Sequence, residues 1–343
     1  MNWQLTEAQL SPKPPSKQYG IGVVGCGEIM NIAHLKAYAD AGISPAACFD
    51  LNRSVAETTA EKFSIPLVCN TVEELVSLSQ VEIVDIAVHM SGRKEIFQKC
   101  CSAGKHILLQ KPVAHTIEEA SEFVALAQQA GVKYQVNQQA RWAPTHQAVR
   151  SWMEMNAIGR TNFMRLEMRG WQDDPATWYV KQPNFTLVDH GVHYFDLLRF
   201  FAGRNARSVA AMTASVPGQK NISPTIYAAT VDFGDGLLAE HCFNNKVMSD
   251  PEWGMNLVID GEEGSIFCDF ETATLLRKDG NNATITPIKK WFPDAFLGPM
   301  ADLMNAVSED REPLCSGRDN VNTMRLVLGA LDSSNTGRVI SVG

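Results

Sequence analysis

The stretch from Asp189 to Arg199 combines ionisable side chains with strongly apolar neighbours. Read as an α-helix of about 3.6 residues per turn, it places Asp189, His193 and Asp196 on one face. Burying such groups is unfavourable unless they are paired or used. The stripe therefore predicts either a structural polar network or a site in which an imidazole transfers protons, because the unperturbed pKa of histidine is about 6.5.

A metal site at this stretch is disfavoured. A zinc site from His190, His193 and nearby carboxylates would need two histidines on one helical face, and the spacing does not supply them. On helical geometry His190 points about 100° away from Asp189. We therefore predict no metal and a structural or exposed His190. Asp196 is predicted either to be structural or to support the neighbouring site residues.

A second candidate site lies near the N-terminus, where a short apolar segment from Tyr19 runs into a glycine turn. Glycines allow the backbone to approach a pyrophosphate, and the N-terminus of a following helix supplies N–H groups and a positive dipole. The segment therefore predicts a dinucleotide-binding turn. The residues expected to contact the dinucleotide are Gly25, Cys26, Gly27, Glu28 and Ile29.

Asp50 ends the next predicted strand, about 20 residues after the turn, where a carboxylate can accept hydrogen bonds from the adenosine ribose. It would repel a 2′-phosphate, which favours NAD. Arg53 lies close enough to leave NADP possible. Met30 stands where the usual turn has a third glycine, so the helix predicted over 28–40 should pack more loosely or be displaced.

Two different patterns of elements carry these sites. From residue 19, short apolar strands alternate with helices, which predicts an α/β domain with a parallel sheet covered on both faces. Beyond Gly159, strand-like segments follow one another with hairpin signals, which predicts an α+β domain with a large, mostly antiparallel sheet. We predict domains over 19–142 and 143–343.

Residues 1–18 form an N-terminal arm rich in proline and polar residues, and this composition favours a mobile arm over a docked one. The whole chain has 343 residues and a formal net charge of −8. The length suits two domains, and the charge argues against a nucleic-acid or anionic-membrane partner.

No run approaches the roughly 18 apolar residues of a transmembrane helix. The N-terminus lacks the basic start and apolar core of an export signal. The eight cysteines are scattered, without the spacing of a zinc ribbon or a disulfide framework. We therefore expect a cytoplasmic protein with reduced thiols and no membrane partner.

The segment from Ala103 to Pro112 resembles the Ala-Gly-Lys-His-Val-Leu-x-Glu-Lys-Pro motif of the Gfo/Idh/MocA oxidoreductases, the relatives of glucose–fructose oxidoreductase and inositol 2-dehydrogenase. The central stretch is similar to the same family's Asp-x-Gly-x-His-x-x-Asp helix. The likeness runs from about residue 19 to the C-terminus. The resemblance also rests on His34, the segment 137–142 and the C-terminal residues 337–339.

This resemblance implies a Rossmann domain that binds NAD(P), followed by a domain whose open sheet forms a homodimer or homotetramer. It implies oxidation or reduction of a secondary alcohol on a sugar, polyol or cyclitol. The family's catalytic lysine, aspartate and acid/base histidine fall on Lys111, Asp189 and His193. The family's Lys-Pro bond tends to be cis, which would make Pro112 a rigid shaping residue.

The chain departs from the family pattern on the nicotinamide side of the cofactor. Gln110 replaces the glutamate before Lys111, Val88 and His89 replace a Thr-Pro pair, and Arg93 replaces a histidine. The lysine, aspartate and histidine all remain, which favours a catalytic member. Cofactor contacts are expected here from Val88, His89, Gln110, Lys111 and Gln139.

The substrate would meet residues from several segments. Trp171 and Gln172 precede the central stretch, and an aromatic face with a neighbouring amide could bind a sugar, although such a tryptophan can equally anchor a loop. Arg141 could face cofactor or substrate. The predicted substrate residues are Lys111, Arg141, Trp171, Gln172, Asp189 and His193.

The sequence therefore predicts an NAD(P)-dependent dehydrogenase or reductase acting on CH–OH groups of carbohydrates or polyols. Hydride transfer would be coupled to proton transfer by His193, with Lys111 polarising the oxygen and Asp189 orienting the imidazole. Two alternatives stay open. The protein could be a glycoside or cyclitol enzyme that recycles tightly bound NAD within one turnover, or a non-catalytic regulator that senses NAD(H).

Overall fold

The computed structural model describes residues 3–248 and 253–343. The chain divides into two compact units. The parallel-sheet unit comprises Ser11–Trp142 and Trp291–Val321, and the open-sheet unit comprises the chain up to Leu10, Ala143–Lys290 and Asn322–Gly343. The predicted division at residue 142 and the functional role of each part stay predictions.

The parallel-sheet unit contains five strands in the order β2-β1-β3-β4-β5, and every neighbouring pair is parallel. Their side chains are almost all buried, as expected when helices cover both faces of a sheet. The predicted parallel α/β architecture is thereby confirmed. The strands are β1 (Ile21–Val24), β2 (Ala47–Phe49), β3 (Ile83–Ile86), β4 (His106–Gln110) and β5 (Tyr134–Asn137).

Helices α1 to α10 have sequence signals at several of their ends. Thr116 caps α6 by accepting a 3.2 Å hydrogen bond from the Glu119 N–H, and Gly131, with φ +66°, ends the helix. The helices are α1 (Glu7–Leu10), α2 (Leu35–Asp40), α3 (Arg53–Phe63), α4 (Val72–Ser77), α5 (Arg93–Ser102), α6 (Ile117–Ala130), α7 (Pro144–Glu154), α8 (Gly191–Ala202), α9 (Leu297–Ser308) and α10 (Gly317–Thr336).

The helix after the glycine turn is not the single α-helix predicted over 28–40. Met30–His34 forms a π-helical turn, and α2 continues from Leu35. Met30 is fully buried and shares a hydrophobic cluster with Ile21 of β1 and Met300 of α9. We attribute the change to this bulky side chain at the third-glycine position, because the wider turn accommodates it between helix and strand.

The open-sheet unit contains a nine-stranded sheet in the order β13-β12-β11-β10-β6-β9-β8-β7-β14. All neighbouring pairs are antiparallel except β6 and β9, so the predicted mostly antiparallel sheet is confirmed. The short strands β12 to β14 were not predicted. The strands are β6 (Thr161–Arg169), β7 (Ser208–Ala214), β8 (Ile226–Gly234), β9 (Leu237–Asn244), β10 (Gly254–Gly261), β11 (Gly264–Cys268), β12 (Ala273–Arg277), β13 (Ala283–Ile285) and β14 (Ile340–Ser341).

The expectation of a mobile arm was wrong for the described residues from 3 onward. Trp3 is buried. The Trp3 carbonyl accepts a 2.8 Å hydrogen bond from the Trp152 Nε1–H of α7, and the Arg277 guanidinium lies 5.0 Å from the centroid of the Trp3 ring. Leu10 is also buried. Burial of one tryptophan and one leucine outweighs the polar composition of the segment.

Among the residues that the structure describes, none of the helices is both long and apolar enough to cross a bilayer.

Candidate active site

The glycine turn lies between β1 and the π-helical turn. Gly25 has φ +90°, and a Cβ atom there would lie 2.6 Å from the Ala87 carbonyl oxygen, so only glycine fits. Gly27 is exposed, and a Cβ atom there would meet no protein atom within 4 Å. The backbone at Gly27 is therefore open to a ligand, beside the free N–H groups at the start of a helix.

Asp50 is hydrogen-bonded to the turn. Its Oδ2 accepts a 2.8 Å hydrogen bond from the Cys26 N–H, and its Oδ1 accepts one of 2.8 Å from the Asn52 N–H. The carboxylate remains half-exposed, with lone pairs left for a ribose hydroxyl. Arg53 points its guanidinium at Glu57, with Nε–Oε1 2.8 Å, and at Asn70.

Asn31 fixes the turn, and the sequence analysis missed it. Its Nδ2 donates to the Cys26 carbonyl at 2.8 Å, to the Gly27 carbonyl at 3.1 Å and to the Thr59 hydroxyl at 3.0 Å. An asparagine in the first turn after a glycine turn is the only sequence signal, because short amide side chains bond nearby backbone groups.

His34 belongs to a fully buried polar network within the parallel-sheet unit. Its Nδ1 lies 2.8 Å from Oδ2 of Asp85, and its Nε2 lies 3.0 Å from Nδ2 of Asn137 at the end of β5. The Tyr38 hydroxyl donates to the same Asp85 oxygen at 2.6 Å. Burial and the Asp85 charge raise the pKa of Tyr38 well above its ordinary value. The network connects the π-helical turn to two strands of the sheet.

The segments after β3 and β4 are tied together by Arg93. Its Nε donates to the Val88 carbonyl at 2.8 Å, and its Nη1 donates to the Pro112 carbonyl. The arginine that replaces the family's histidine is thus buried and holds the backbone of two predicted cofactor segments. Val88 is half-buried, and His89 is exposed.

Lys111 follows directly on β4 and is half-buried. The Lys111–Pro112 bond is cis, as the resemblance implied. Gln110 is buried, and its Oε1 accepts a 3.1 Å hydrogen bond from the Lys111 N–H. A neutral amide therefore stands beside the lysine where the family pattern has a carboxylate.

Gln139 and Arg141 lie in a buried 3₁₀ turn, Gln139–Trp142, after β5. Arg141 donates to the Leu314 carbonyl at 2.9 Å and pairs with Asp319 at 2.6 Å, all within the parallel-sheet unit. These contacts hold the turn that carries Gln139.

His193 and Asp189 lie in the open-sheet unit on either side of a change in helix type. Phe185–His190 is π-helical, and α8 begins only at Gly191, so the single α-helix predicted from Asp189 was wrong. A π-helix bonds each residue to the one five positions away, which changes the angular spacing between Asp189 and His193. His193 is 6% exposed, and Asp189 is half-buried.

Asp196 and His190 make structural contacts. Oδ1 of Asp196 accepts a 2.7 Å hydrogen bond from the Thr323 hydroxyl and lies 3.8 Å from Nη1 of Arg199. The His190 ring centroid lies 4.6 Å from that of Phe185 and 5.2 Å from that of Trp253. The roles of both residues stay predictions.

Trp171 and Gln172 lie in a segment held by polar contacts. Oε1 of Gln172 accepts a 3.1 Å hydrogen bond from Asn245 Nδ2, and the half-buried Trp171 bridges to Lys246 through the backbone. The next residue, Asp173, is buried and pairs with Lys246. Burial raises the pKa of Asp173, but hydrogen bonds from Lys246 and Asn221 outweigh it, so that the pKa lies below its ordinary value.

Two family models match the chain. The model of the oxidoreductase family with an NAD-binding Rossmann fold matches residues 19–138, and the model of the GFO/IDH/MocA C-terminal domain matches residues 146–267. Together they span most of both predicted domains.

The chain belongs to the Gfo/Idh/MocA oxidoreductase family.

Named relatives and a solved structure agree with this membership. D-apiose dehydrogenase of Paraburkholderia graminis is 24% identical over 95% of this chain and 90% of its own. Myo-inositol 2-dehydrogenase of Thermotoga maritima is 23% identical over 90% and 93%. The fold is that of levoglucosan dehydrogenase in complex with NADH and levoglucosan, with a TM-score of 0.85 and 18% identity over 95% of this chain and 100% of that one.

As a Gfo/Idh/MocA member, the protein is an NAD(P)-dependent oxidoreductase of the sugar and cyclitol dehydrogenase type, with a Rossmann domain of the NAD-binding family. The glycine turn fits NAD, because Gly27 offers open space beside helix N–H groups and Asp50 stands at the end of β2. Asn31 holds the glycine turn through the Cys26 carbonyl. Arg93 joins the segments after β3 and β4 through the Val88 and Pro112 carbonyls.

Proposed function

We propose that the protein transfers a hydride between NAD and a secondary alcohol of a sugar, polyol or cyclitol, with His193 as the acid/base. The observation that carries the proposal is the place of His193 itself. It is an ionisable side chain, 6% exposed, on the largely apolar helix α8, which also carries Asp196 and Arg199. It stands at the position of the family's acid/base histidine. A buried imidazole of this kind is costly unless a partner or a reaction uses it.

NAD supplies the hydride acceptor when it is bound. During oxidation the substrate hydroxyl gives its proton to the His193 imidazole as its carbon loses the hydride. The Lys111 ammonium stabilises the charge that develops on the oxygen, and Asp189 orients the imidazole. In the reducing direction, His193 returns the proton to the oxygen.

The same proposal assigns roles to the remaining predicted residues. Trp171 would offer its ring to the substrate, while Arg141 and Gln172, which bond within the protein, would hold the loops around it. The proposed cofactor contacts are Gly25, Cys26, Gly27, Glu28, Ile29, Asp50, Arg53, Val88, His89, Gln110, Lys111 and Gln139.

The test is NADH formation from NAD⁺ across a panel of pentoses, hexoses, anhydrosugars and cyclitols. With the best substrate, His193→Ala should lower kcat/KM by about 10²- to 10⁴-fold, the usual contribution of a general base. His115→Ala, at an exposed histidine, is the matched control and should keep the wild-type value. Full turnover by the His193 variant would refute its proton-transfer role.

The same panel separates the two alternatives. An enzyme that recycles NAD would retain stoichiometric cofactor after dialysis and turn over without added NAD⁺. A regulator would reduce no NAD⁺ with any compound, while NADH would bind tightly and change the oligomeric state.

We also propose that the chain forms a homodimer or homotetramer through the open sheet. Met212 of β7, Leu238 of β9, Phe267 of β11 and Leu276 of β12 are large apolar side chains exposed along this sheet. Such side chains on several strands of one sheet suit burial against a second copy. Phe267→Lys should shift the mass measured by light scattering towards the monomer, and an unchanged mass would count against this interface.

A further inference from the structure

Gly191 lies midway between Asp189 and His193, where the π-helical segment ends and α8 begins. Its φ is −56°, which any residue adopts, so backbone conformation does not require glycine here. Space does. A Cβ atom at this position would lie 2.7 Å from the hydroxyl oxygen of Tyr227 and 3.4 Å from the Thr186 carbonyl oxygen. The hydroxyl of Tyr227 is therefore packed directly against the junction.

The Tyr227 hydroxyl is itself held in place. It lies 2.6 Å from Nε2 of His241, and Nδ1 of His241 lies 2.9 Å from the Leu166 carbonyl oxygen of β6. The carbonyl can only accept, so Nδ1 carries the proton and Nε2 accepts from the tyrosine. Both side chains are buried, and burial lowers the pKa of His241 to about 4. The pair is neutral and has one arrangement of donors near neutral pH.

Helix α8, which begins at the junction, also packs against Tyr227 and His241. The Phe195 ring of α8 stacks on Tyr227, with centroids 6.0 Å apart, and meets His241 edge-on at 5.1 Å. The Gly191 N–H donates to the Thr186 carbonyl, which closes the π-helical segment against the Tyr227 hydroxyl. A cavity of about 50 Å³ lies beside Tyr227 and Leu187, so neighbouring side chains do not fill that side of the segment.

We propose that Tyr227, held by His241, is a positioning residue whose hydroxyl fixes the π-to-α junction and thereby the spacing between Asp189 and His193. This inference rests on the proposed function, because it gives those two residues their roles. Tyr227 and His241 act through the backbone at Gly191. This role explains why the chain keeps a buried tyrosine–histidine pair packed against Phe195 of α8.

The first test is Tyr227→Phe, assayed with NAD⁺ and the compound of the panel that is oxidised fastest. If the hydroxyl positions the pair, kcat falls about tenfold, KM stays within about twofold, and the midpoint of the kcat–pH profile moves. Binding of NADH, followed by its fluorescence, stays at the wild-type affinity. Tyr134→Phe, which removes a buried hydroxyl in the parallel-sheet unit, is the matched control and leaves kcat, KM, the pH profile and NADH affinity unchanged.

The second test is the coupling between positions 191 and 227. Gly191→Ala alone brings a methyl group onto the tyrosine hydroxyl, so it should lower kcat and the melting temperature. In Gly191→Ala combined with Tyr227→Phe that hydroxyl is gone, and both quantities should recover part of the loss. Melting needs no substrate. If Tyr227→Phe proves too unstable to assay, Tyr227→Phe with His241→Leu also removes the unpaired ring nitrogen and serves the same comparison.

The outcomes separate this inference from the proposed function. Wild-type kcat, KM and pH profile in the Tyr227 variant, together with strictly additive effects at positions 191 and 227, would overturn the positioning role even if His193→Ala is inactive. Full activity of His193→Ala would instead overturn the proposed function.

Discussion

The backbone N–H of Cys26 donates a 2.8 Å hydrogen bond to Oδ2 of Asp50, so the carboxylate at the end of β2 also holds the glycine turn after β1. Asp50 thereby holds the shape of the turn, and in the proposed function it also binds the cofactor. Replacement of Asp50 should therefore change both the shape of the turn and the affinity for the cofactor.

Asp50→Asn should weaken NADH binding by about tenfold, because a charged acceptor is replaced by an amide that has only one acceptor oxygen. Fluorescence titration with NADH measures the change. Asp40→Asn, at an exposed residue of α2 paired with Lys36, is the control and should bind NADH normally. Equal affinities for the Asp50 variant and the wild type would contradict the assignment.

Gly27→Ala should leave the fold intact, because a Cβ atom there meets no protein atom within 4 Å. It should weaken NADH binding by about tenfold, because the methyl group would enter the space that we propose for the pyrophosphate. Circular dichroism and thermal melting check the fold, and fluorescence titration checks binding. Gly254→Ala, in the open-sheet unit with no neighbour closer than 3.9 Å, is the matched glycine control. If the Gly27 variant binds NADH as tightly as the wild type, the cofactor does not approach the backbone at Gly27.

The enzyme should prefer NAD to NADP by about tenfold or more, because Asp50 repels a 2′-phosphate and Arg53 is engaged by Glu57 and Asn70. Glu57→Ala should remove the ion pair with Arg53 and lower the preference for NAD over NADP. The ratio of the kcat/KM values for NAD and NADP measures this preference. A wild-type enzyme that uses NADP equally well would contradict this reading of Arg53.

His241 should make stability fall on mild acidification. Burial lowers its pKa to about 4 in the folded chain, whereas the unfolded chain binds the proton below about pH 6.5. Between these values only the unfolded state is protonated, so the free energy of unfolding should decrease by about 2 kcal/mol from pH 7 to pH 5. Urea unfolding at both pH values checks this, and His241→Leu should have a smaller decrease than the wild type.

Trp3→Ala should lower the stability of the open-sheet unit by about 3 to 5 kcal/mol, the usual cost of truncating a buried tryptophan. The loss would show in thermal or urea unfolding. Lys13→Ala, at an exposed residue of the same N-terminal segment, is the control. An unchanged unfolding curve for the Trp3 variant would mean that the segment does not dock in solution.

Much of the architecture was readable from the residues. Buried apolar strands alternating with helices predicted the parallel sheet, and alternation with hairpin signals predicted the open sheet, because these patterns reflect which faces are buried. The Lys111–Pro112 motif and the Asp189 to Asp196 stretch indicated the family. Local patterns of this kind carry the information, since each depends on residues close in sequence.

Only the tertiary structure decided how these motifs are held. Tyr227 and His241 lie more than thirty positions after Gly191, and Asp85 lies about fifty positions after His34, so no local pattern joins them. The π-helical segment Phe185–His190 likewise contacts β8, a strand more than thirty positions further along the chain, so no local helix pattern reveals this neighbour. The sequence by itself determined which groups are available for chemistry. Their spacing was decided by side chains that meet only when the chain folds, because steric and hydrogen-bond constraints act across space and not along the sequence.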